Sequence, residues 1–226
     1  MAHSNNFMIT AIVPVKTLAT AKGRLARFLA PAERRALVQA MLDDVLAALL
    51  AARNIARVGV VSADAAVLAQ AAARGVETLI DQHGDLNAAL TQATRHYAAA
   101  GAAATLVLHA DVPLVTPDEI EQLVAAGQAP PSAVLAPSRD GGTNALLSCP
   151  PLALPFRFGA DSLAQHSAMA RLHGIRLRQF HRPGLELDID RPDDLWLLAE
   201  TAGASAAQQL VRELNVYDRM AYVGAD

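Results

Sequence analysis

The chain has 226 residues, of which 53% are hydrophobic, 4% aromatic and 18% charged, with a formal net charge of −3. That is ample apolar material for the core of one α/β domain and too much for a disordered chain. A mildly acidic chain without a stripe of Lys and Arg interleaved with aromatics is not expected to bind nucleic acid. No apolar run approaches the ~20 residues that cross a bilayer. The single cysteine, Cys149, allows neither an internal disulfide nor a cysteine zinc site, and is expected to be a small core residue. Residues 1–6 lack a basic-then-apolar leader pattern, so a soluble, cytoplasmic protein is expected.

In chain order, strand-like and helix-like segments alternate. Residues 8–15 form a short apolar strand. Pro31 opens a helix to about Ala52, with Leu37, Met41, Val45 and Leu49 recurring every fourth residue beside Leu42 and Leu46. A strand over 57–61, an alanine-rich helix over 64–74 closed by Gly75, and a third strand over 76–80 follow. A helix over 85–100 ends at Gly101, and the uniformly apolar strand 105–108 is expected to be central. Thr116-Pro-Asp-Glu119 has the form of a capping box with proline in the first turn. Strands are then expected over 132–137, 143–148, 175–180 and 185–189, with helices over 162–173 and from near Asp190 onward.

The alternation in the first half predicts a parallel sheet with helices on both faces, and the shorter strands of the second half make it mixed. No linker or internal repeat is visible. One domain is expected over 8–203. The tail, 204–226, carries Leu210, Val211, Leu214, Val216, Tyr217, Met220 and Tyr222, which is expected to pack on the domain or on a second subunit, making a homodimer possible.

Ligands in such folds bind beyond the carboxyl ends of the strands. Asp111 follows the fourth strand there. Asp188 and Asp190 are two apart and share one face if their run is extended. Carboxylates converging at strand ends suit a hard cation such as Mg²⁺ held against phosphates. Asp111 could instead cap a turn, and Asp190, before Arg191-Pro192, could be a helix N-cap. Asp188, between Leu187 and Ile189, has no such alternative and needs a partner.

The loop after the first strand brings Lys16, Lys22 and Arg24 to the same edge, where they hold phosphates or form a solvated basic turn. It is not a P-loop. Gly141-Gly142 suits either close backbone approach or a hairpin turn. Gly159 and Ser162 enter a helix, as anion donors or as a plain serine cap. His166 lies one turn after Ser162, either reaching the same ligand or satisfied in the interior. His109 shares the strand face of Asp111. No Ser/His/Asp nucleophile set and no dinucleotide fingerprint is visible, so phosphoryl or nucleotidyl transfer fits better than hydrolysis or redox chemistry.

Nine stretches together resemble one family: Ile12-Val-Pro-Val-Lys16 with Ala21-Lys-Gly-Arg-Leu25; Pro31-Ala-Glu-Arg34 with Met41-Leu-Asp-Asp-Val-Leu46; Gly84-Asp-Leu-Asn-Ala-Ala-Leu90; Ala110-Asp-Val-Pro-Leu114; Asp140-Gly-Gly-Thr-Asn-Ala-Leu146; Phe158-Gly-Ala-Asp-Ser-Leu-Ala-Gln-His166; and Leu187-Asp-Ile-Asp-Arg-Pro-Asp-Asp194. The chain resembles the 2-phospho-L-lactate, phosphoenolpyruvate or 3-phospho-D-glycerate guanylyltransferases of coenzyme F-420 biosynthesis. The resemblance implies an α/β nucleotidyltransferase fold of the glycosyltransferase-A type, a mixed β-sheet flanked by helices with a Rossmann-like first half. It implies Mg²⁺ on Asp111, Asp188 and Asp190, the acceptor acid on Lys16, Thr143, Gly159 and Ser162, and GTP near Lys22, Arg24, Gly84 and Asn87. Lys22 would then also serve catalysis. Guanine preference comes from the resemblance alone. Asn144 is expected to bias the choice among the three acids. A related nucleotidyltransferase with a molybdopterin or sugar phosphate acceptor, and a non-catalytic nucleotide-binding module, are the alternatives.

Overall fold

The computed structural model describes residues 8–127, 129–216 and 219. A seven-stranded sheet forms its centre, in the order β3-β2-β1-β4-β6-β5-β7. The strands are β1 (Ile9–Pro14), β2 (Arg57–Ser62), β3 (Glu77–Ile80), β4 (Ala104–Leu108), β5 (Ser132–Pro137), β6 (Thr143–Cys149) and β7 (Arg176–Gln179). β3, β2, β1 and β4 are mutually parallel, while β6 runs antiparallel to both β4 and β5. β4, buried along its whole length, is central as its uniform apolarity predicts.

The period-two alternation of each strand feeds two cores, one on each face. Ala11 and Val13 of β1 join one core, and Ile12 joins the other. The first core is filled by α1 (Pro31–Ala51), whose Leu37, Met41, Leu42, Val45, Leu46 and Leu49 are fully buried. Emptying one such leucine site costs about 2–5 kcal/mol. The Glu33 carboxylate accepts from the Ala30 N–H and so caps this helix. The second core holds α3 (Leu86–Ala99) and the aromatics Phe156 and Phe158. Tyr97 of α3 crosses directly over Gly59 of β2, leaving no room for a Cβ.

Asp64 is the N-cap of α2 (Ala65–Ala73). Thr116 and Glu119 form the expected reciprocal cap of α4 (Pro117–Ala125). Gly141-Gly142 lies in the turn of the β5–β6 hairpin, Gly141 at φ +85°. A Cβ on Gly142 would meet Ser138 Oγ at 2.5 Å, where the Gly142 N–H already donates to that hydroxyl. Cys149 is buried, as expected of a free core cysteine.

Two expectations are corrected. Residues 185–189 are not an eighth strand. Pro183–Glu186 is a single helical turn, α6, and the following residues run on without joining the sheet. Their alternation is real, but they have no partner strand, and the Ile189 N–H instead donates to the Asp111 carbonyl at 3.0 Å. Nor is Asp190 a helix N-cap. α7 (Pro192–Glu200) is capped by Asp194, which accepts from the N–H groups of Asp190 and Arg191. The side chain of Asp190 is thereby left to face the site.

After the sheet, α5 (Ser162–His173) precedes β7, and α8 (Ala206–Glu213) packs on α1 and α7. Asp44 of α1 accepts from the N–H groups of Ala206 and Ala207, filling the open N-terminus of α8. Gln208 is buried, donating to the carbonyls of Leu198 and Thr201. Val211 and Val216 are buried, and Arg219 pairs with Glu33 at 2.8 Å. Tyr217, Met220 and Tyr222 lie outside the described residues. No helix among the described residues is long and apolar enough to cross a membrane.

Candidate functional site: an acidic lysine cluster beside a hydroxyl pair

The loop after β1 folds back over the carboxyl ends of β1 and β4. Its Leu18 and Leu25 are buried, and the Leu18 N–H donates to Asp64 Oδ2 at 2.9 Å, tying the loop to the start of α2. Lys22 then adopts a left-handed backbone (φ 53°) ahead of a short 3-10 turn, Gly23–Leu25. This brings its buried ammonium inward, where Nζ donates to Asp111 Oδ2 at 2.7 Å and to Asp190 Oδ1 at 2.8 Å. Arg24 stays largely exposed and approaches Asp190 Oδ2 at 3.5 Å. Burial opposes charge on Lys22, but Asp111 and Asp190 outweigh it and hold the ammonium above the ordinary lysine range. Burial likewise opposes charge on Asp111, and Lys22 keeps its carboxyl below the usual range.

Asp188 lies at the same cluster with no cation paired to it among the described residues. Burial, then the Asp111 and Asp190 charges, push its carboxyl up to about 6, against a hydrogen bond from Asn144 Nδ2 at 3.3 Å and one from its own backbone. Asn144 also donates to the Leu185 carbonyl at 2.9 Å, so its amide hydrogens are committed to the 185–188 segment. Asp111 Oδ1 is buried and has no hydrogen-bond partner among the described residues.

On the neighbouring side, Thr143 and Ser162 are buried and joined by a 3.1 Å hydrogen bond from Ser162 Oγ to Thr143 Oγ1. Ser162 opens α5 after Asp161, so its hydroxyl is not a helix cap. His166 is fully buried, as an interior histidine, with Nδ1 3.2 Å from Thr143 Oγ1 and Nε2 accepting from the Arg157 N–H at 3.0 Å. Gly159, at φ +130°, is exposed where the chain enters this helix. The Asn87 amide donates to the Phe158 carbonyl and accepts from the Phe158 N–H, so it pins the Phe158-Gly159 segment to α3. Gly84 (φ 68°) is exposed in the turn before α3, with Asp81 accepting its N–H.

Phe158 joins the two halves. Its ring lies 5.0 Å from His109 and 4.9 Å edge-to-face from His166. His109 Nε2 is buried without a partner among the described residues. Burial holds the imidazole neutral, and the Lys22 and Lys16 charges act in the same direction against Asp111. Lys16 itself is exposed at the end of β1. Lys22, Asp111 and Asp190 thus form one cluster with Asp188 and the exposed Arg24 at its sides, Lys16 is near enough to act on His109, and His109 and Phe158 link the cluster to His166, Thr143 and Ser162. Asn87 reaches this link through Phe158, Gly159 follows Phe158 in the chain, and Gly84 is placed only in the turn before α3. The sequence reading gave no role to Phe158, although it opens one of the stretches that carry the resemblance, and missed Asp64 and the Asn144–Asp188 contact. Asn144 had a local signal, an amide inside a strand whose next residues are Ala145, Leu146 and Leu147.

The fold is that of solved nucleotidyltransferase structures. A provisionally named nucleotide-diphospho-sugar transferase from Desulfovibrio desulfuricans G20 superposes with a TM-score of 0.79 at 18% identity, covering 94% of this chain and 97% of that one. A nucleotidyl transferase from Methanothermobacter thermautotrophicus superposes with a TM-score of 0.61 at 18% identity, covering 91% and 99%. The chain belongs to the family described as "Guanylyl transferase CofC like", whose model matches residues 9–219. It is 47% identical over 199 residues to a phosphoenolpyruvate guanylyltransferase of Sphaerobacter thermophilus, covering 87% of this chain and 95% of that protein. It is also 35% identical over 207 residues to a 2-phospho-L-lactate guanylyltransferase of Methanothermobacter thermautotrophicus, covering 91% and 90%.

Proposed function

We propose that the chain transfers GMP from GTP to phosphoenolpyruvate, in the biosynthesis of coenzyme F-420. The observation that carries the reading is the buried Lys22 ammonium between Asp111 and Asp190, linked through His109, Phe158 and His166 to the Thr143–Ser162 hydroxyl pair. One half offers charge for a triphosphate, and the other offers neutral donors for a small acid. The guanylyltransferase relatives support the nucleotide and the acid class.

The chemistry needs little from a base. A phosphate oxygen of the acid, already ionised near neutral pH, forms a bond to the α-phosphorus of GTP. The bond from that phosphorus to the bridging oxygen breaks, and pyrophosphate leaves with the electron pair. Lys22 and Arg24 steady the triphosphate, and Lys16, Thr143, Gly159 and Ser162 hold the acid. Phe158 and the two histidines give the acid pocket a neutral, water-poor wall.

Mg²⁺ is the expected cofactor. No group of three or more His, Cys, Asp and Glu side chains among the described residues could hold a metal by itself. The three aspartates therefore do not form the single ligand set expected of them, and Lys22 stands between two of them; Mg²⁺ ordinarily takes one or two carboxylates and completes its shell with water and substrate phosphates. The unpartnered Asp111 Oδ1 and the uncompensated Asp188 are carboxyl groups that fit a cation, with Asp190 beside them. Bound there, Mg²⁺ would neutralise charge on the α-phosphate and the leaving pyrophosphate.

The test is pyrophosphate release with GTP, Mg²⁺ and each of phosphoenolpyruvate, 2-phospho-L-lactate and 3-phospho-D-glycerate. Turnover fastest with phosphoenolpyruvate is expected. Preference for another acid would replace the acceptor, and GTP binding without pyrophosphate release under any acid would make the chain a binding module.

A further inference from the structure

Proton bookkeeping around His166 assigns a direction to the acid-binding hydroxyls. The backbone N–H of Arg157 can only donate, so the Nε2 it meets at 3.0 Å carries no proton. A neutral ring then has its proton on Nδ1. Burial, opposed in part by the Ser162 carbonyl facing the ring, keeps the ring neutral down to about pH 4. Nδ1–H therefore faces Thr143 Oγ1 at 3.2 Å as well as the Ser162 carbonyl, and Ser162 Oγ–H donates to Thr143 Oγ1 at 3.1 Å. A hydroxyl accepts two hydrogen bonds and donates one. A protonated Nδ1 cannot accept from Thr143, and Ser162 already donates to it, so the Thr143 proton is left for whatever enters the pocket.

We propose that His166 is a positioning residue that, through Nδ1–H, fixes the Thr143 hydroxyl as an obligate hydrogen-bond donor to the acceptor acid. The inference rests on the reading that Thr143 contacts that acid. The oxygen facing Thr143 must then act as an acceptor, which a carboxylate or phosphate oxygen does at no cost. A substrate hydroxyl there could accept from Thr143 only if its own proton found a partner elsewhere, and a buried proton without one is costly. His166 does not touch the acid and acts through Thr143.

Steady-state kinetics on the full chain with phosphoenolpyruvate and GTP separate the two ideas. Thr143→Val should raise the KM for the acid about tenfold or more and leave the KM for GTP within about twofold, as expected for one lost hydrogen bond to an anion. An unchanged acid KM would overturn the site reading itself. His166→Phe should raise the acid KM similarly, and His166→Phe combined with Thr143→Val should equal Thr143→Val alone. Effects that multiply in the double variant would overturn the inference while leaving the site reading intact.

If His166→Phe does not fold, His166→Asn and His166→Gln decide. Asn places an N–H where Nδ1 stood and should keep the acid KM within about threefold, whereas Gln, which reaches the Nε2 position, should not. The reverse ranking, or equal effects, overturns the inference. Nitrogen-15 NMR of the imidazole between pH 6 and 8 gives a readout independent of turnover. Protonated Nδ1 with bare Nε2 is expected, and protonated Nε2 would overturn the proposal.

Discussion

The ammonium of Lys22 lies 2.7 Å from the carboxylate of Asp111, and the 3-10 turn after β1 exists to put it there. Three charges share this contact, the buried Lys22, the half-buried Asp111 and the more exposed Asp190, so removing the lysine does more than remove one cation. Without it two carboxylates face each other unpaired, at a cost below the about 3–5 kcal/mol of a fully buried pair because water reaches both. The left-handed backbone at Lys22 offsets little of that, since alanine is equally strained there. Lys22→Ala should therefore raise the KM for GTP and lower the unfolding free energy at pH 7. Asp111, whose carboxyl the lysine holds low, contributes stability that is present above the unfolded carboxylate pKa and lost as pH falls through its lower folded value. The stability gap between wild type and Lys22→Ala should thus narrow as the carboxyls protonate in acid. Lys16→Ala, by contrast, should act on the acid KM. Two variants that impair the same substrate alone would end this division of labour.

Asp188 should behave in the opposite sense. Its carboxyl is pushed up to about 6 in the folded state, above the unfolded value, so it binds more protons folded than unfolded between about pH 4 and 6. Stability is lost as pH rises through that window. The loss is on the order of 1–2 kcal/mol once screening at this part-exposed group is allowed for. In the presence of a chelator, Asp188→Asn should melt higher than wild type at pH 7.5 and alike at pH 4. Adding Mg²⁺ should raise the melting temperature of wild type but not of the variant, following the linkage of binding to stability. Turnover should fall roughly 10²-fold or more, the scale of losing an electrostatic stabiliser. A variant that keeps the Mg²⁺ shift would remove Asp188 from the metal site.

The parts of the fold that could be read in advance are those written in local periodicity. The four-residue recurrence of Leu37, Met41, Val45 and Leu49, the Thr116–Glu119 cap and the apolar 105–108 run each depend on neighbours in the chain. Residues 185–189 show where periodicity stops deciding. Alternation describes an extended segment equally well with or without a partner strand, and here one bond from Ile189 to Asp111 replaces a ladder. Asp190 had the sequence of a helix cap, but Asp194 takes that role and frees it. The position of Phe158 between His109 and His166 is not written in local periodicity, because the contact joins separate segments through tertiary packing.

His166 carries a pH signature that does not depend on substrate. Its folded value, lowered to about 4 chiefly by burial, lies below that of the unfolded chain, near 6.5. Between those values the unfolded chain binds the extra proton, so the histidine costs stability as pH falls from about 6.5 towards 4. One proton corresponds to a slope of about 1.4 kcal/mol per pH unit. His166→Asn cannot titrate, and denaturant unfolding of that variant from pH 6.5 to 4.5 should show a shallower slope by up to that amount. Equal slopes would mean that the imidazole charges in the folded protein without penalty.

Asn144 is expected from the sequence to rank the acceptor acids, and the structure gives it another task. Thr143 and Asn144 are adjacent in β6 and point to opposite faces. Thr143 meets Ser162 and His166, while Asn144 donates to the Leu185 carbonyl and to Asp188. Its amide therefore holds the one carboxyl of the cluster that has no cation beside it. Losing that hydrogen bond should raise the Asp188 carboxyl further, since the bond is the larger of the two that oppose the shift. It should also loosen the segment that delivers Asp188 and Asp190. Asn144→Ala is expected to lower kcat roughly 10-fold or more, as a weaker copy of Asp188→Asn. The order of kcat/KM among phosphoenolpyruvate, 2-phospho-L-lactate and 3-phospho-D-glycerate should stay as in wild type. In the Asp188→Asn background, the Asn144→Ala change should add little, because the two side chains act as one unit. A reordered preference among the acids in Asn144→Ala would show that the amide reaches the acceptor pocket after all.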